Sequence, residues 1–282
     1  MKEEYQVVIV GGGAMGVGLM YHLAHEGWTD VLLVEKGELT SGSTWHAAGL
    51  VPHFIGSLNM AKVHAEAPKL YAELEDETGL SAGWHPTGAI RLALSDNEVD
   101  WFRYVNGMLD LVGVESYLIS PKEILDHHPL LDVSDVKLGF WTPNDGWSDP
   151  SSSTNAMAKG ARQLGAEVAR HTLVTDMNLL PDGRWEILTN KGAVIAEHVV
   201  NAAGCYAPQL GEMVGYEVPI VSVIHQYLVT EAIPEIAELN FDLPVIRDPR
   251  ASCYYRREID GLVVGPYAVS YTHLTLPTIC SV

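Results

Sequence analysis

The first ordered pattern in the chain is an apolar run over residues 6–10, rich in Val and Ile, that breaks at once into Gly11-Gly12-Gly13-Ala14-Met15-Gly16. It predicts a buried strand feeding a tight turn. Leu19, Met20 and Leu23 follow as a stripe at helical spacing, Gly27 ends the helix, and 31–34 predicts a second buried strand closed by Glu35. Residues 60–78 read as one long helix with Leu70, Tyr71 and Leu74 on one face, stopped by Gly79. A strand at 89–94, helices around 99–111 and 121–126, and a turn-rich segment ending at Trp147-Ser148-Asp149-Pro150 come next. Asp149-Pro150-Ser151 is a helix entry, the helix continues over 156–164, and a strand is expected at 167–176. Asp182-Gly183 is expected to turn a hairpin with arms at 185–189 and 193–200, delivering the chain to Asn201-Ala202-Ala203-Gly204. From Pro219 onward the pattern predicts long strands at 220–230, 243–247, 253–257 and 262–265.

The opening segment matches G-x-G-x-x-G between a strand and a helix. Gly11 permits the turn, Gly13 lets the backbone approach a pyrophosphate, Gly16 lets the helix sit close to the sheet, and Ala14 and Met15 open the helix toward the phosphates. Glu35, about 20 positions beyond the last glycine, suits a ribose hydroxyl pair and repels a 2′-phosphate, which disfavours NADP. These residues predict dinucleotide binding without choosing FAD over NAD.

The 282 residues can hold one large or two modest domains. Seventeen basic against 36 acidic side chains, a formal charge of −19, argue against nucleic acid or an anionic membrane as partner. Cys205, Cys253 and Cys280 show neither disulfide-framework nor metal-ligand spacing, and no metal is expected. Met1-Lys2-Glu3-Glu4 does not read as a secretory signal and no stretch reaches membrane-spanning length, so a cytoplasmic protein is expected.

Candidate chemistry lies in three places. Ser43-Thr44-Trp45-His46-Ala47-Ala48-Gly49 puts an imidazole among small residues just past the fingerprint. His225 falls in the expected strand 220–230, alternating with Val221, Val223 and Tyr227, where a packed histidine bonded to backbone is the plain alternative. Tyr254 and Tyr255 point to opposite faces of one strand, so only one of them can belong to a given site.

Together, Gly11 to Gly16, Glu35-Lys36, residues 41–50, Asp149-Pro150, Gly160-Ala161-Arg162, residues 201–204 and His225-Gln226-Tyr227-Leu228-Val229-Thr230 resemble the FAD-dependent oxidase domain of dimethylglycine and sarcosine dehydrogenases. The resemblance runs from about Gln6 to Tyr267 and favours FAD over NAD. It implies an α/β fold in which a Rossmann-like FAD-binding domain (about 1–85 and 145–215) is interleaved with a β-rich α+β substrate domain (about 86–144 and 216–267). It implies a flavin held covalently through His46 and wrapped by Ser43, Thr44, Gly49, Leu50 and Val51, with Lys36, Val174, Ala203 and Gly204 as further cofactor contacts. It places His225 and one of the two tyrosines, Tyr254 ahead of Tyr255, near a substrate amine.

The implied reaction is oxidative N-demethylation of a methylated glycine, with hydride passing to FAD and an iminium left to hydrolyse. Electrons would pass on to an electron-transfer flavoprotein or to oxygen. Tetrahydrofolate belongs only to a further C-terminal domain, similar to the glycine-cleavage T protein, that relatives carry beyond this chain. A non-catalytic flavoprotein or regulatory subunit, or an oxygen-using amino-acid oxidase, stand as alternatives on the same fold. Residues 269–278 look like a translated sequencing adapter, with a genuine β-rich tail as the plain alternative, and 269–282 are set aside as a non-native tail, with the oxidoreductase domain expected to continue past Tyr267.

Overall fold

In the computed structural model, which describes residues 1–267, the chain divides into two compact units. The tail at 269–282 lies outside the described residues. The architecture is α/β, a Rossmann-like unit interleaved with an α+β unit.

The first unit comprises Met1–Gly49, Ala67–His85 and Trp147–Val223. Its six-stranded sheet runs in the order Val174–Leu179, Trp185–Thr189, Gly192–Asn201, Glu4–Val10, Val31–Val34, Glu167–Ala169. The first strand pairs in parallel with both of its neighbours, and over residues 7–10, where both of its faces are covered, it reads as a continuous apolar run. Val7, Ile9, Val31 and Leu33 pack on one face against Val17, Met20 and Tyr21 of helix Ala14–His25 and Ala156, Met157 and Ala161 of helix Pro150–Gln163. Val8, Val10, Leu32 and Val34 pack on the other with Val174, Met177 and Ile187. Helix Pro150–Gln163 starts as its sequence dictates: Pro150 lies in the first turn and the Asp149 carboxylate accepts from Ser152 N at 2.6 Å.

Among the described residues, the second unit comprises Leu50–Glu66, Pro86–Gly146 and residues 224–267. A seven-stranded sheet runs Leu228–Val229, Gly261–Pro266, Cys253–Glu258, Val245–Asp248, Ala89–Ala93, Leu138–Thr142, Tyr117–Ile119. Alternation sends Ile90, Leu92 and Ile246 into a cluster with Ile119, Ile124, Val136 and, at its edge, Tyr255. Helix Asp96–Leu111, opened by a capping box between Ser95 and Glu98, covers Ala93 and Phe140 with Phe102, Val105 and Leu109.

Several expectations are corrected. The helix expected over 60–78 is two, Leu58–His64 and Ala67–Thr78. Pro68 has no N–H to continue the ladder and its ring would meet the carbonyl four residues back, so the chain breaks ahead of it. The strand expected at 167–176 is Glu167–Ala169 and Val174–Leu179, separated by a turn in which His171 takes φ +54°. Asp182-Gly183 turns the hairpin between Val174–Leu179 and Trp185–Thr189, one hairpin earlier than expected. The turn-rich stretch before Asp149 contains strands Leu138–Thr142 and Gly146–Ser148. Most consequentially, the strand expected at 220–230 is reduced to Leu228–Val229, and Val221, Val223 and Ile224 are 88%, 75% and 86% exposed. The apolar alternation there has no described strand beside it to pair with; His225 is therefore not a packed strand residue.

Candidate functional site

In the first unit the fingerprint turn is built by close backbone approach. Gly11 has φ +122°, and a Cβ on it would overlap the Ala202 carbonyl oxygen, while a Cβ on Gly16 would overlap the Gly11 oxygen. Ala202 N donates to Val10 O at 2.9 Å, so the junction at 201–204 lies directly on the fingerprint. Ala14 and Met15 are exposed, Met15 at 81%, leaving the N-terminal turn of helix Ala14–His25 open to an anion. Ala14 N donates to the Thr44 hydroxyl at 3.0 Å, and a Cβ on Gly13 would lie 3.0 Å from the same oxygen. The two ends of the segment meant to hold a dinucleotide thus meet in one place.

Glu35 is fixed at the end of its strand: Oε2 accepts from Gly12 N and Oε1 from Gly37 N, each at 2.7 Å. The Lys36 ammonium lies 3.2 Å from the centre of the Tyr206 ring, which the 3₁₀ turn Gly204–Tyr206 presents next to Ala203. Val174 is buried in the sheet core, so its backbone rather than its side chain is what a ligand can reach.

Ser43 precedes the 3₁₀ turn Thr44–His46, where the His46 ring packs on Trp45 with centroids 3.7 Å apart; both residues are exposed. Thr40 orients this turn from a left-handed conformation, φ +67°, that β-branched residues rarely adopt. Its N–H donates to Gly12 O, its carbonyl accepts from Trp45 N, and its hydroxyl accepts from Ser151. Gly49 closes the segment at φ +71°, where a Cβ would overlap the Ser148 oxygen. The open helix end, the fixed carboxylate and the cradle that any Cβ would fill fit a dinucleotide such as FAD.

In the second unit a different chemistry gathers on the sheet face opposite the Ile90 cluster. Arg91 and Arg247 are register partners on adjacent parallel strands and project to this face. The Arg91 guanidinium lies 4.2 Å from the Phe54 ring centre; that of Arg247 lies 5.3 Å from Tyr254 and 4.7 Å from Tyr267. Tyr254 is 5% exposed, and burial pushes its phenol up in pKa, partly offset by Arg247. Exposed His225 meets the same group edge-on, its ring 4.9 Å from that of Tyr267. His225 and Tyr254 therefore share a cluster built around Tyr267. Tyr255 faces the other way and is pushed up to about 12 by burial and by Asp248.

Beside them Asp145, 1% exposed, accepts from His53 N at 3.0 Å, from His53 Nδ1 at 2.5 Å and from Thr142 Oγ1 at 2.5 Å. Leu50 and Val51, expected at the cofactor, belong to this unit and line one pocket with Arg91, Thr142, Asp145 and Arg247. Sequence reasoning passed over Arg91, Arg247, Asp145, His53 and Tyr267. The available signal was a lone arginine at the centre of the apolar strand Ala-Ile-Arg-Leu-Ala, repeated in Val-Ile-Arg-Asp.

Comparison with known proteins is consistent with both units. The mouse dimethylglycine dehydrogenase is 46% identical over 266 residues, covering 94% of this chain and 31% of that protein. Human sarcosine dehydrogenase is 35% identical over 273 residues, covering 95% and 29%. The chain thus spans about a third of the length of these relatives. The crystal structure of L-proline dehydrogenase from P. horikoshii superposes with a TM-score of 0.82 at 28% identity, over 94% of this chain and 70% of that one. The expectation of a cytoplasmic protein is corrected by the same comparison, since the mouse, rat and human dimethylglycine dehydrogenases are mitochondrial. The family model of the FAD dependent oxidoreductases (DAO) matches residues 6–279, and the chain belongs to that family, related to the dimethylglycine and sarcosine dehydrogenases.

Proposed function

We propose that this chain is the flavin-bearing part of an enzyme that oxidatively demethylates a methylated glycine, dimethylglycine or sarcosine, with FAD joined to the protein at His46. The observation that carries the reading is the segment from Ser43 to Gly49, which sets an exposed imidazole two residues from the Thr44 hydroxyl that bonds the fingerprint helix. FAD, when bound, supplies the two-electron acceptor for a C–H bond next to nitrogen. The fingerprint turn and the open helix end hold its pyrophosphate, Glu35 its ribose, and Lys36, Ala203, Gly204 and the Val174 backbone the neighbouring groups. Imidazole is nucleophilic when neutral, which suits His46 to a covalent link.

Tyr254 stays protonated because burial disfavours the phenolate, so it donates a hydrogen bond rather than withdrawing a proton. Together with His225 it lines a pocket whose desolvation lowers the proton affinity of the substrate amine, so that the amine reacts with its lone pair unprotonated. Electrons leave to an electron-transfer flavoprotein or to oxygen, and tetrahydrofolate enters only through a further C-terminal domain.

Acid precipitation of the full-length protein tests the link. A yellow, fluorescent pellet is expected for wild type and a colourless one for His46→Ala; a colourless wild-type pellet from yellow native protein refutes covalent attachment. Anaerobic addition of dimethylglycine or sarcosine should bleach the bound flavin. A fully loaded protein that neither compound reduces would favour the non-catalytic reading instead.

A further inference from the structure

The first unit holds a cleft of about 460 Å³ that the function proposed above does not use. One stripe of helix Pro150–Gln163 forms a side of it: Asn155, Lys159 and Arg162 recur at spacings of four and three, which brings them onto one face. Arg170, just past strand Glu167–Ala169, joins them, and Glu38 is the one carboxylate among the lining residues. The fingerprint glycines, Glu35, Thr44 and His46 are not among those residues, so the cleft is separate from the ground assigned to the flavin.

Its charge runs against that of the whole chain. Acidic side chains outnumber basic ones 36 to 17, yet here three cations meet one carboxylate. That carboxylate is already taken, since Glu38 accepts from Arg170 Nη1 at 2.5 Å and lies 2.7 Å from His171 Nε2. Lys159 and Arg162 have no ion pair among the described residues. Like charges one helical turn apart repel, and no lining carboxylate is left to screen them. Arg162, in the last turn, suits the negative end of the helix. Lys159 and Arg170 do not share that reason.

The head group that answers this arrangement is a dianion compact enough to meet two neighbouring cations at once. A phosphate monoester carries a charge of about −1.5 to −2 near neutral pH and has three acceptor oxygens. The planar fork of an arginine takes those oxygens in pairs, and a lysine ammonium meets them as a point charge. Leu39, Leu80 and Val168 add apolar walls, and a cleft of this size admits an organic body as well as the head group.

We propose that this cleft binds a small organic phosphate monoester, its phosphate on Lys159 and Arg162 and its organic part against Leu39, Leu80 and Val168. Glu38 holds Arg170 in place beside them. The cleft shares Leu39 with the cofactor segment: a Cβ on Gly12 would lie 2.7 Å from the Leu39 side chain, and Thr40 N donates to Gly12 O. An occupant therefore rests against a loop that also touches the fingerprint. The assignment is independent of which amine the flavin oxidises.

The probes are phenyl phosphate, benzenesulfonate, inorganic phosphate and succinate, titrated calorimetrically into the flavin-loaded full-length protein. Phenyl phosphate should bind and the other three should bind at least tenfold more weakly: benzenesulfonate lacks the second charge, inorganic phosphate the apolar body, and succinate the compact head group. Lys159→Gln and Arg162→Gln should each weaken phenyl phosphate at least tenfold, and Lys122→Gln, in the second unit, should leave it unchanged. No binding of phenyl phosphate, equal affinity for any of the other three probes, or wild-type affinity in either of the first two variants overturns the proposal. Binding that appears only once flavin is stripped also overturns it, because the phosphate would then occupy the fingerprint.

Should a Gln variant fail to fold, acetylation of the wild type by acetic anhydride, read by mass spectrometry, gives the answer. Saturating phenyl phosphate should protect Lys159 and leave Lys122 unchanged, whereas an unaltered rate at Lys159 overturns the proposal.

Discussion

His128, at the end of helix Pro121–His127, should make the protein lose stability in mild acid. The residue is 4% exposed, and its Nδ1 has no hydrogen-bond partner among the described residues. Burial pulls its pKa from 6.5 down to about 4. Between those two values the unfolded chain takes up a proton that the folded chain refuses, so stability falls with pH from about 6.5 and the loss is complete near 4. The full gap corresponds to about 3 kcal/mol at ~1.36 kcal/mol per pH unit, a large share of a typical domain's stability. Urea unfolding of wild type and His128→Leu, each at about pH 7 and about pH 4.5, isolates the effect, because acidic groups such as Glu98 and Asp96, whose depressed pKa values also cost stability in acid, are common to both. The wild type should lose about 2.5 kcal/mol more than the variant over that interval. Parallel losses, within about 0.5 kcal/mol, would show that His128 is protonated in the folded state and that the reasoning is wrong.

Gly16→Ala puts a methyl group into the Gly11 carbonyl oxygen; a loss of about 1–3 kcal/mol and a sharply lower flavin content are expected, and normal flavin absorbance in the purified variant would refute the cradle. Tyr254→Phe should slow flavin reduction by the methylated glycine roughly 100-fold in stopped-flow measurement, whereas Tyr255→Phe, which loses only a 3.5 Å contact to Asp248, should leave it unchanged; equal effects would remove Tyr254 from the site.

What the sequence made legible was local. The fingerprint, its helix, Glu35 and the small-residue junction at 201–204 are neighbours along the chain or sit at strand ends, and periodicity with glycine placement is enough to find them. The hairpin assignment went astray because 182–183 and 190–191 both flank 185–189, and only the sheet decides which strand each turn serves. The strand expected at 220–230 failed for a related reason: alternation describes what a segment needs, and a partner strand must supply it. The arginine pair was hidden because its meaning arises only when Ala89–Ala93 and Val245–Asp248, more than 150 positions apart, lie side by side. A single arginine in an apolar strand is an oddity; two in register are a charge without a partner.

The sheet order of the first unit also governs how the chain can be made. Glu4–Val10 leaves the ribosome first, yet its parallel neighbour Gly192–Asn201 is among the last strands of that unit to emerge. At typical synthesis speeds of roughly 5–20 residues per second, the first strand waits on the order of 10–40 s with one edge unpaired. During that interval the second unit's Ala89–Ala93 and Leu138–Thr142 can already zip together. The nascent chain therefore spends its longest vulnerable period with its first, largely buried strand half-paired, and a holding chaperone should act there, before residue 201 has been added, rather than on the finished polypeptide.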